Sequence, residues 1–262
     1  MKQEIQFSLF RALTTSKPSG TVTLAEVYRL ITTDATLKEN TGKFRYFKQQ
    51  GFDDDADKIK RSRCPAFTPA VLFDGNRGKK NIVIIASDHT RPVPSRAILP
   101  PMLEEIHRGS PDADITLLIA TGCHRGTTKD ELIEKFGADI VARETIVIHD
   151  CAAEEDMVTI GTLPSGGTLR INRIAAEADL LISEGFIEPH FFAGFSGGRK
   201  SVLPGIASRE TVLANHCAEF IDHSRARTGI LDGNPIHADM VWAARQAKLA
   251  FIVNVVINEK KE

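Results

Sequence analysis

Short apolar runs that alternate with helical segments from residue 79 onward constrain the fold of this 262-residue chain more than any other feature. Five runs have the length and composition of strands buried on both faces, at residues 82–86, 115–120, 145–148, 179–182 and 250–257. Segments with helical periodicity lie between them, at 95–107, 129–136, 171–178, 209–218 and 237–248. This order predicts an α/β fold, a Rossmann-like open parallel sheet with helices on both faces.

The first 78 residues lack this alternation. Residues 1–63 carry 12 Lys and Arg against 8 Asp and Glu, and a stretch punctuated by Pro and Gly follows at 64–78. We therefore predict two domains: a small separate N-terminal module of unknown role at residues 1–78, and an α/β domain at residues 79–262.

Charge and composition exclude several classes of protein. A net charge of −1 argues against a nucleic-acid binder, so a small anionic substrate would need a local basic pocket. No apolar run approaches the roughly 20 residues that span a bilayer, and the N-terminus lacks the apolar centre of a signal peptide, so we expect a cytoplasmic protein with no membrane partner. The four cysteines are widely spaced, which predicts reduced thiols rather than a disulfide framework or a zinc site.

Unusual polar residues follow the predicted strands directly. Asp88 and Arg91 follow the first, His124 follows the second, His149 follows the third, and Glu184 follows the fourth. Sites in open α/β sheets gather at the carboxyl ends of the strands. We therefore expect these loops to meet over one crevice.

The segment 188–216 combines a glycine-rich turn, a lysine and two histidines. Glycines at positions 194, 197 and 198, with Ser196 among them, would let backbone amides turn toward an anion such as phosphate. Lys200 ends the turn, and the neighbouring Arg199 is expected to lower its pKa and so favour the nucleophilic amine. His216 is expected late in a helix that begins at Ser208 or Thr211, where it could return to the site as a metal ligand or base. A phosphate, a lysine and a metal together describe a bound cofactor.

A nucleotide-binding P-loop is the competing interpretation of the same turn. Residues 194–201 read G-F-S-G-G-R-K-S against the pattern G-x-x-x-x-G-K-[ST]. The match fails at Arg199, which replaces the glycine before the lysine and would crowd the backbone where phosphates approach. Magnesium-dependent nucleotide binding would favour this alternative, a phosphate- or nucleotide-binding enzyme.

Several long motifs resemble the N-terminal domain of the nickel-pincer lactate racemase family. They are D-H-T-R-P-V-P at 88–94, A-T-G-x-H-R at 120–125, the run 182–216, A-R-T-G at 226–229 and A-K-L-A-F-I at 247–252. The resemblance spans about residues 79 to 262. It implies a nickel-dependent isomerase that interconverts the enantiomers of a small 2-hydroxy acid such as lactate. The reaction would proceed by hydride transfer through a keto acid, on a pyridinium mononucleotide that holds nickel.

The resemblance also implies roles for individual residues. Lys200 would carry the nickel-pincer nucleotide covalently through a thioacyl group, and His216 would bind nickel. His124 and His190 would be the acid/base residues for the two faces of the substrate, a role suited to a side chain with an ordinary pKa of about 6.5. Arg91 would bind the substrate carboxylate or the developing carbonyl, with Asp88 beside it, and residues 194–198 would hold the cofactor phosphate. Proteins that synthesise the cofactor would be partners.

Two departures from the family pattern shape the remaining expectations. Family members continue into a second domain that closes the cleft, whereas this chain stops at residue 262, so we expect a truncated and weakly active racemase. The front segment instead weakly resembles the N-terminal module of VirE/primase-type mobile-element proteins, through F-R-A at 10–12, P-x-G-T-V-T-L at 18–24 and P-A-F-T-P at 65–69. The alternative function is therefore a DNA-associated mobile-element protein with a vestigial racemase domain. DNA retention that falls with salt would favour it.

Overall fold

A six-stranded sheet organises the computed structural model, which describes residues 6–9 and 78–256. Its strand order is β1-β10-β7-β2-β3-β4, and all neighbours are parallel except β1, which pairs antiparallel with β10 at one edge. These strands are β1 (Gln6–Leu9), β2 (Asn81–Ser87), β3 (Asp114–Ala120), β4 (Thr145–Ile148), β7 (Leu180–Phe186) and β10 (Leu249–Val256). The predicted parallel sheet is confirmed.

Helices cover both faces of this sheet, as predicted. On one face lie α1 (Ser95–Gly109), α2 (Lys129–Phe136) and α3 (Ala138–Arg143). The other face carries α4 (Arg173–Ala176), α5 (Arg209–Asn215) and α7 (Pro235–Gln246), while α6 (Ala218–Asp222) is a short helix after α5. Alternate residues of the central strand divide between two cores, because Val83 and Ile85 pack on one side and Ile82 and Ile84 on the other.

One predicted helix is largely wrong. Residues 171–178 were expected to be helical, but Ile171 lies in a strand and only Arg173–Ala176 form a helix. That strand, β6 (Thr168–Asn172), pairs antiparallel with β5 (Met157–Thr162) in a two-stranded hairpin outside the main sheet. The Asn172 side chain accepts a hydrogen bond from the Ile174 amide, which starts the helix only there.

The order of strands places a crevice between β2 and β7. From β2 the chain proceeds outward through β3 and β4, and then returns to the opposite side of β2 with β7 and β10. The loops after β2 and β7 consequently leave the sheet in opposite directions, which is the usual position of ligand sites in open α/β sheets.

After β7 the chain forms the glycine loop, residues 187–201, which lies over the end of the sheet. It contains the small antiparallel pair β8 (Pro189–His190) and β9 (Gly194–Phe195), followed by one 3-10 turn at Gly198–Ser201. The predicted front module lies outside the described residues except for β1 and residue 78. Within residues 6–9 and 78–256, no helix is long and apolar enough to cross a membrane.

Candidate active site

A cavity of about 130 Å³ opens at the switch between β2 and β7. The loops after β2 and β3, the end of β7 and the glycine loop that follows it contribute to its wall, so three of the four predicted loops meet here, whereas the loop after β4 does not line the cavity. Its polar lining includes Asp88, Arg91, Thr121, His124, Glu184, Ser196 and Lys200.

Asp88 and His124 form a hydrogen-bonded pair on one wall. Asp88 is almost fully buried, and its Oδ2 atom lies 2.7 Å from Nδ1 of His124, whose side chain is 44% exposed. The other carboxylate oxygen accepts hydrogen bonds from the amide and the hydroxyl of Thr90, which fixes its orientation. An ionised carboxylate only accepts, so Nδ1 of His124 carries the proton and Nε2 is left as an acceptor.

Glu184 anchors this wall from inside the sheet. It belongs to β7, is 1% exposed, and accepts hydrogen bonds from the amide and hydroxyl of Ser87 and from the hydroxyl of Ser95. Burial raises the pKa of its carboxyl group. Because Ser87 directly precedes Asp88, these bonds hold the end of β2 against β7.

Backbone packing, rather than an open anion cradle, requires two of the loop glycines. Gly194 has φ 77°, and a Cβ there would lie 2.5 Å from the carbonyl oxygen of Ile230. Gly197 has φ 76°, and its Cβ would lie 2.8 Å from the carbonyl oxygen of Phe186. Gly197 lines the cavity, whereas Gly194 and Gly198 do not.

Arg199 braces the glycine loop from beneath. Its guanidinium group donates to the carbonyls of Ala193 at 2.8 Å and of Ser196 and Gly197 at 3.3 Å each, and Nε donates to Nδ1 of His237 at 3.1 Å. Burial lowers the pKa of Arg199 to about 10, and burial followed by this cation lowers the pKa of His237 to about 3. Its hydrogen bonds hold the Arg199 side chain against the backbone of its own loop, so it does not line the cavity or crowd it.

Lys200 brings a reactive amine to the cavity. Burial, then the charges of Arg199 and Arg91, lower the pKa of Lys200 to about 7. The predicted effect of Arg199 is therefore present, although burial is the larger cause. Its Nζ atom lies 5.7 Å from the centre of the Phe192 ring and donates no hydrogen bond to any other residue within 6–9 and 78–256.

The two other histidines of the predicted site, His190 and His216, pack against the ring of Phe192 and do not line the cavity itself. The ring centres of His190 and His216 lie 4.5 Å and 5.2 Å from that of Phe192, each edge to face. Burial, then the charge of Lys200, lower the pKa of His190 to about 3 and that of His216 to about 4. Nδ1 of His190 accepts from the amides of Phe192 and Ala193, at 3.5 Å and 3.3 Å, so its proton is on Nε2.

His216 directly follows α5, which begins after Ser208 as the sequence suggested, and so caps the helix rather than lying within it. Its Nδ1 atom is buried and has no hydrogen-bond partner among the residues that the structure describes. Such an unpaired nitrogen fits a metal ligand. Within the described part of the chain, however, no three His, Cys, Asp or Glu side chains come close enough to hold a metal ion. A metal here would thus need most of its ligands from a bound cofactor, which the free amine of Lys200 could anchor.

Several of these features escaped the sequence interpretation. Glu184 was expected just after a strand that ended at residue 182, but β7 continues to Phe186 and Glu184 lies buried within it. The partners of Arg199 are three backbone carbonyls and a ring nitrogen of His237, which no motif displays. His149, expected at the crevice, is buried instead, with Nε2 3.1 Å from the carbonyl oxygen of Ala207. The P-loop interpretation gains no support, because the amides of Ser196 and Lys200 donate to the carbonyls of Glu188 and Gly197.

The fold and the site together define an α/β domain with a lysine- and histidine-containing site at the carboxyl ends of its strands. Residues 49–229 match the lactate racemase N-terminal domain, and the chain belongs to that family.

Two lactate racemases and two solved structures are similar to it. The racemase of Thermoanaerobacterium thermosaccharolyticum is 60% identical over 204 residues, 78% of this chain and 48% of that protein. The racemase of Lactiplantibacillus plantarum is 63% identical over 186 residues, 71% of this chain and 44% of that protein. The chain thus spans about half the length of these curated relatives.

The lactate racemase apoprotein structure from T. thermosaccharolyticum matches with a TM-score of 0.72 and 63% identity, over 72% of this chain and 46% of that one. A Thermotoga maritima protein structure matches with a TM-score of 0.64 and 25% identity, over 79% of this chain and 52% of that one. Both support the α/β architecture.

Proposed function

We propose that this chain is part of a nickel-dependent 2-hydroxy acid racemase that acts on lactate. It is the part that binds the cofactor and transfers the hydroxyl proton. The observation that carries the proposal is that the Asp88–His124 pair and the amine of Lys200 line one cavity. The similarity to two lactate racemases supports the substrate class.

His124 is the base in this proposal. Asp88 holds the Nδ1 proton, so Nε2 can accept the hydroxyl proton of a 2-hydroxy acid, and the carboxylate stabilises the resulting imidazolium. Arg91 lines the same cavity, and its guanidinium group donates no hydrogen bond to any other described residue, so this planar group is available for the substrate carboxylate.

His190 is the acid/base residue for the opposite face of the substrate in this proposal, and it starts in the tautomer that His124 does not have. Its Nδ1 accepts from the loop amides, so it presents an Nε2 proton where His124 presents a lone pair. The cations Lys200, Arg199 and Arg91 contribute to its low pKa. Acylation of Lys200 and a carboxylate on Arg91 would remove or offset two of these charges, and the pKa of His190 would then rise toward the range useful in acid/base catalysis.

The residues present fit the nickel-pincer nucleotide. Lys200 would hold it through a thioacyl bond, the buried Nδ1 of His216 would bind nickel, and Ser196 and Gly197, the residues of the 194–198 turn that line the cavity, would lie nearest its phosphate. When bound, the cofactor would supply a reversible hydride acceptor for the 2-hydroxy acid. The protein's own part is to anchor this group, orient the substrate and move the hydroxyl proton. Cofactor-synthesising proteins are the partners that this proposal requires.

The attachment is tested by intact mass after co-expression with the cofactor-synthesising proteins. We expect a covalent adduct that is absent from Lys200→Ala and from Lys200→Arg, which keeps the charge but lacks the nucleophilic amine. Lys129→Ala, at an exposed position on α2, is the matched control and should keep the adduct. An adduct that persists in both Lys200 variants would refute the assignment.

Activity is tested by following L-lactate formed from D-lactate. Two loaded polypeptides should be compared: this chain, and this chain joined to the remaining half of the L. plantarum relative. We expect weak turnover from the first and much faster turnover from the second, because a closed, water-excluding site strengthens the electrostatic contacts that stabilise the transition state. No turnover from either loaded polypeptide would contradict the proposed function.

A further inference from the structure

Two thiols that are far apart in sequence meet beside the active-site cavity. The Sγ atoms of Cys123 and Cys151 lie 3.6 Å apart, although the residues are 28 positions apart in the chain. Both are free thiols. A disulfide requires the sulfur atoms to be about 2.05 Å apart, so closure needs an approach of only about 1.5 Å.

Adjacent strands bring this pair together. Cys123 lies in the loop after β3 and Cys151 in the loop after β4, and these strands are neighbours in the parallel sheet. The loops are already joined, because the Thr121 hydroxyl donates to the carbonyl of His149 at 2.5 Å. The backbone therefore holds the two thiols in proximity without any disulfide.

The two thiols differ in accessibility. Cys123 is exposed and lines the cavity, whereas Cys151 is only 3% exposed, and its carbonyl accepts a hydrogen bond from the Arg209 amide at 2.9 Å. A reagent from solution can reach Cys123 first. Cys151 is held beneath it in the position of a resolving thiol.

We propose that Cys123 and Cys151 are a reversible disulfide site that couples oxidation to the position of His124. His124 directly follows Cys123 in the chain. Because Cys151 is buried and its backbone is anchored, the 1.5 Å approach falls mainly on Cys123 and displaces the adjoining histidine. The 2.7 Å contact from His124 to Asp88 is the interaction that this displacement weakens.

The oxidant is a small-molecule disulfide, such as oxidised glutathione. The Cys123 thiolate attacks one sulfur, which forms a mixed disulfide and expels one glutathione thiolate. The Cys151 thiolate then attacks Sγ of Cys123 and expels the second. The two protons lost by the cysteines leave with the two reduced glutathione molecules, and the two thiols are oxidised as the glutathione disulfide is reduced.

The local environment makes the first step slow at neutral pH. Cys123 is accessible from solution but partly desolvated, and this partial burial, then the hydrogen bond with Cys151, raises the pKa of Cys123 to about 11, against the smaller opposing effect of Arg209. Little thiolate is present near pH 7, so this disulfide should form under sustained oxidation rather than in brief exposure.

Intact mass and peptide mapping test the disulfide. The reduced chain is incubated with oxidised glutathione at about pH 8, where more thiolate is present than at neutral pH. We expect loss of two hydrogens and a linked peptide pair containing Cys123 and Cys151. Cys151→Ser should instead retain glutathione on Cys123, Cys123→Ser should leave Cys151 unmodified, and Cys217→Ser should behave as the unaltered chain. A stable glutathione adduct on Cys123 in the unaltered chain, or linkage to Cys64 or Cys217, would overturn the proposal.

The coupling to His124 is tested by its reaction with diethyl pyrocarbonate, which does not depend on racemase activity. We expect His124 to react several-fold more slowly in the oxidised chain, because without the hydrogen bond to Asp88 the ring proton is no longer held on Nδ1 and Nε2 is no longer kept as the unprotonated nitrogen. Dithiothreitol should restore the rate. His107, exposed on α1, is the internal reference and should not change. Equal rates at His124 before and after oxidation would overturn the coupling.

Discussion

In the loop after β3, the hydrogen bond to the Asp88 carboxylate sets which ring nitrogen of His124 carries the proton. On the glycine loop, burial and neighbouring cations instead lower the pKa values of Lys200 and His190. The first wall fixes which nitrogen of an exposed ring carries the proton. The second wall disfavours positive charge, and so keeps the imidazoles of His190 and His216 neutral and leaves the amine of Lys200 partly unprotonated near pH 7. In one cavity, a hydrogen bond to a carboxylate thus sets the tautomer of a base, while desolvation lowers the pKa of a nucleophilic amine.

The strongest test of the pairing side is Asp88→Asn, compared with His124→Ala. An asparagine amide can donate to Nδ1, which would move the ring proton to Nε2 and abolish the acceptor. We expect each variant to lose on the order of 10²- to 10⁴-fold in turnover, measured in the assay for lactate interconversion. Asp130→Asn, on the exposed start of α2, is the control. Near-normal turnover in Asp88→Asn would show that pairing does not set the state of His124.

The burial side is tested by Arg199→Met, compared with Arg173→Met. Both arginines donate to backbone carbonyls, but Arg199 is half-buried and also donates to His237, whereas Arg173 is exposed. Removing Arg199 takes a charged donor from the partly buried carbonyls of Ala193, Ser196 and Gly197, so we expect a loss of roughly 2 to 4 kcal/mol in the free energy of unfolding, and about 0.5 kcal/mol or less for Arg173. Urea unfolding measures both. Equal losses would mean that the brace under the glycine loop has no special weight.

The smallest expected effect is a difference between Lys200 and an ordinary lysine in the pH dependence of acylation. With a pKa of about 7, Lys200 should react with a small amine-reactive acylating reagent at a rate that rises to about pH 7 to 8 and then levels off. The rate at an ordinary lysine keeps rising toward pH 10, and exposed Lys129 supplies that reference. Arg91→Gln removes one cation and should move the Lys200 profile to higher pH. A Lys200 profile that matches Lys129 would contradict control by burial.

The sequence predicted the parts of this molecule that depend on local composition. Buried parallel strands are apolar along their whole length, so β2, β3 and β4 could be located, and the rule that loops meet at the carboxyl ends placed Asp88 and His124 in one crevice. The β5–β6 hairpin was missed, although Pro164, Ser165 and Gly166 mark its turn, because the alternation expected of an α/β chain favoured a helix there. The role of Arg199 could not be read, since hydrogen bonds to carbonyls depend only on where the backbone lies.

The close approach of Gly194 to Ile230 limits how this domain can evolve. A side chain at position 194 would meet the backbone of another segment, and moving that segment would also disturb the hydrogen bond from the Gly229 amide to the Gly194 carbonyl. The glycine loop and the segment near residue 230 can therefore change only together. Gly166, also at positive φ, has no neighbouring atom within 4 Å of the corresponding Cβ position. A substitution at Gly166 would meet only the strain of its positive φ, so divergence should be tolerated better at the hairpin turn than where two backbones touch.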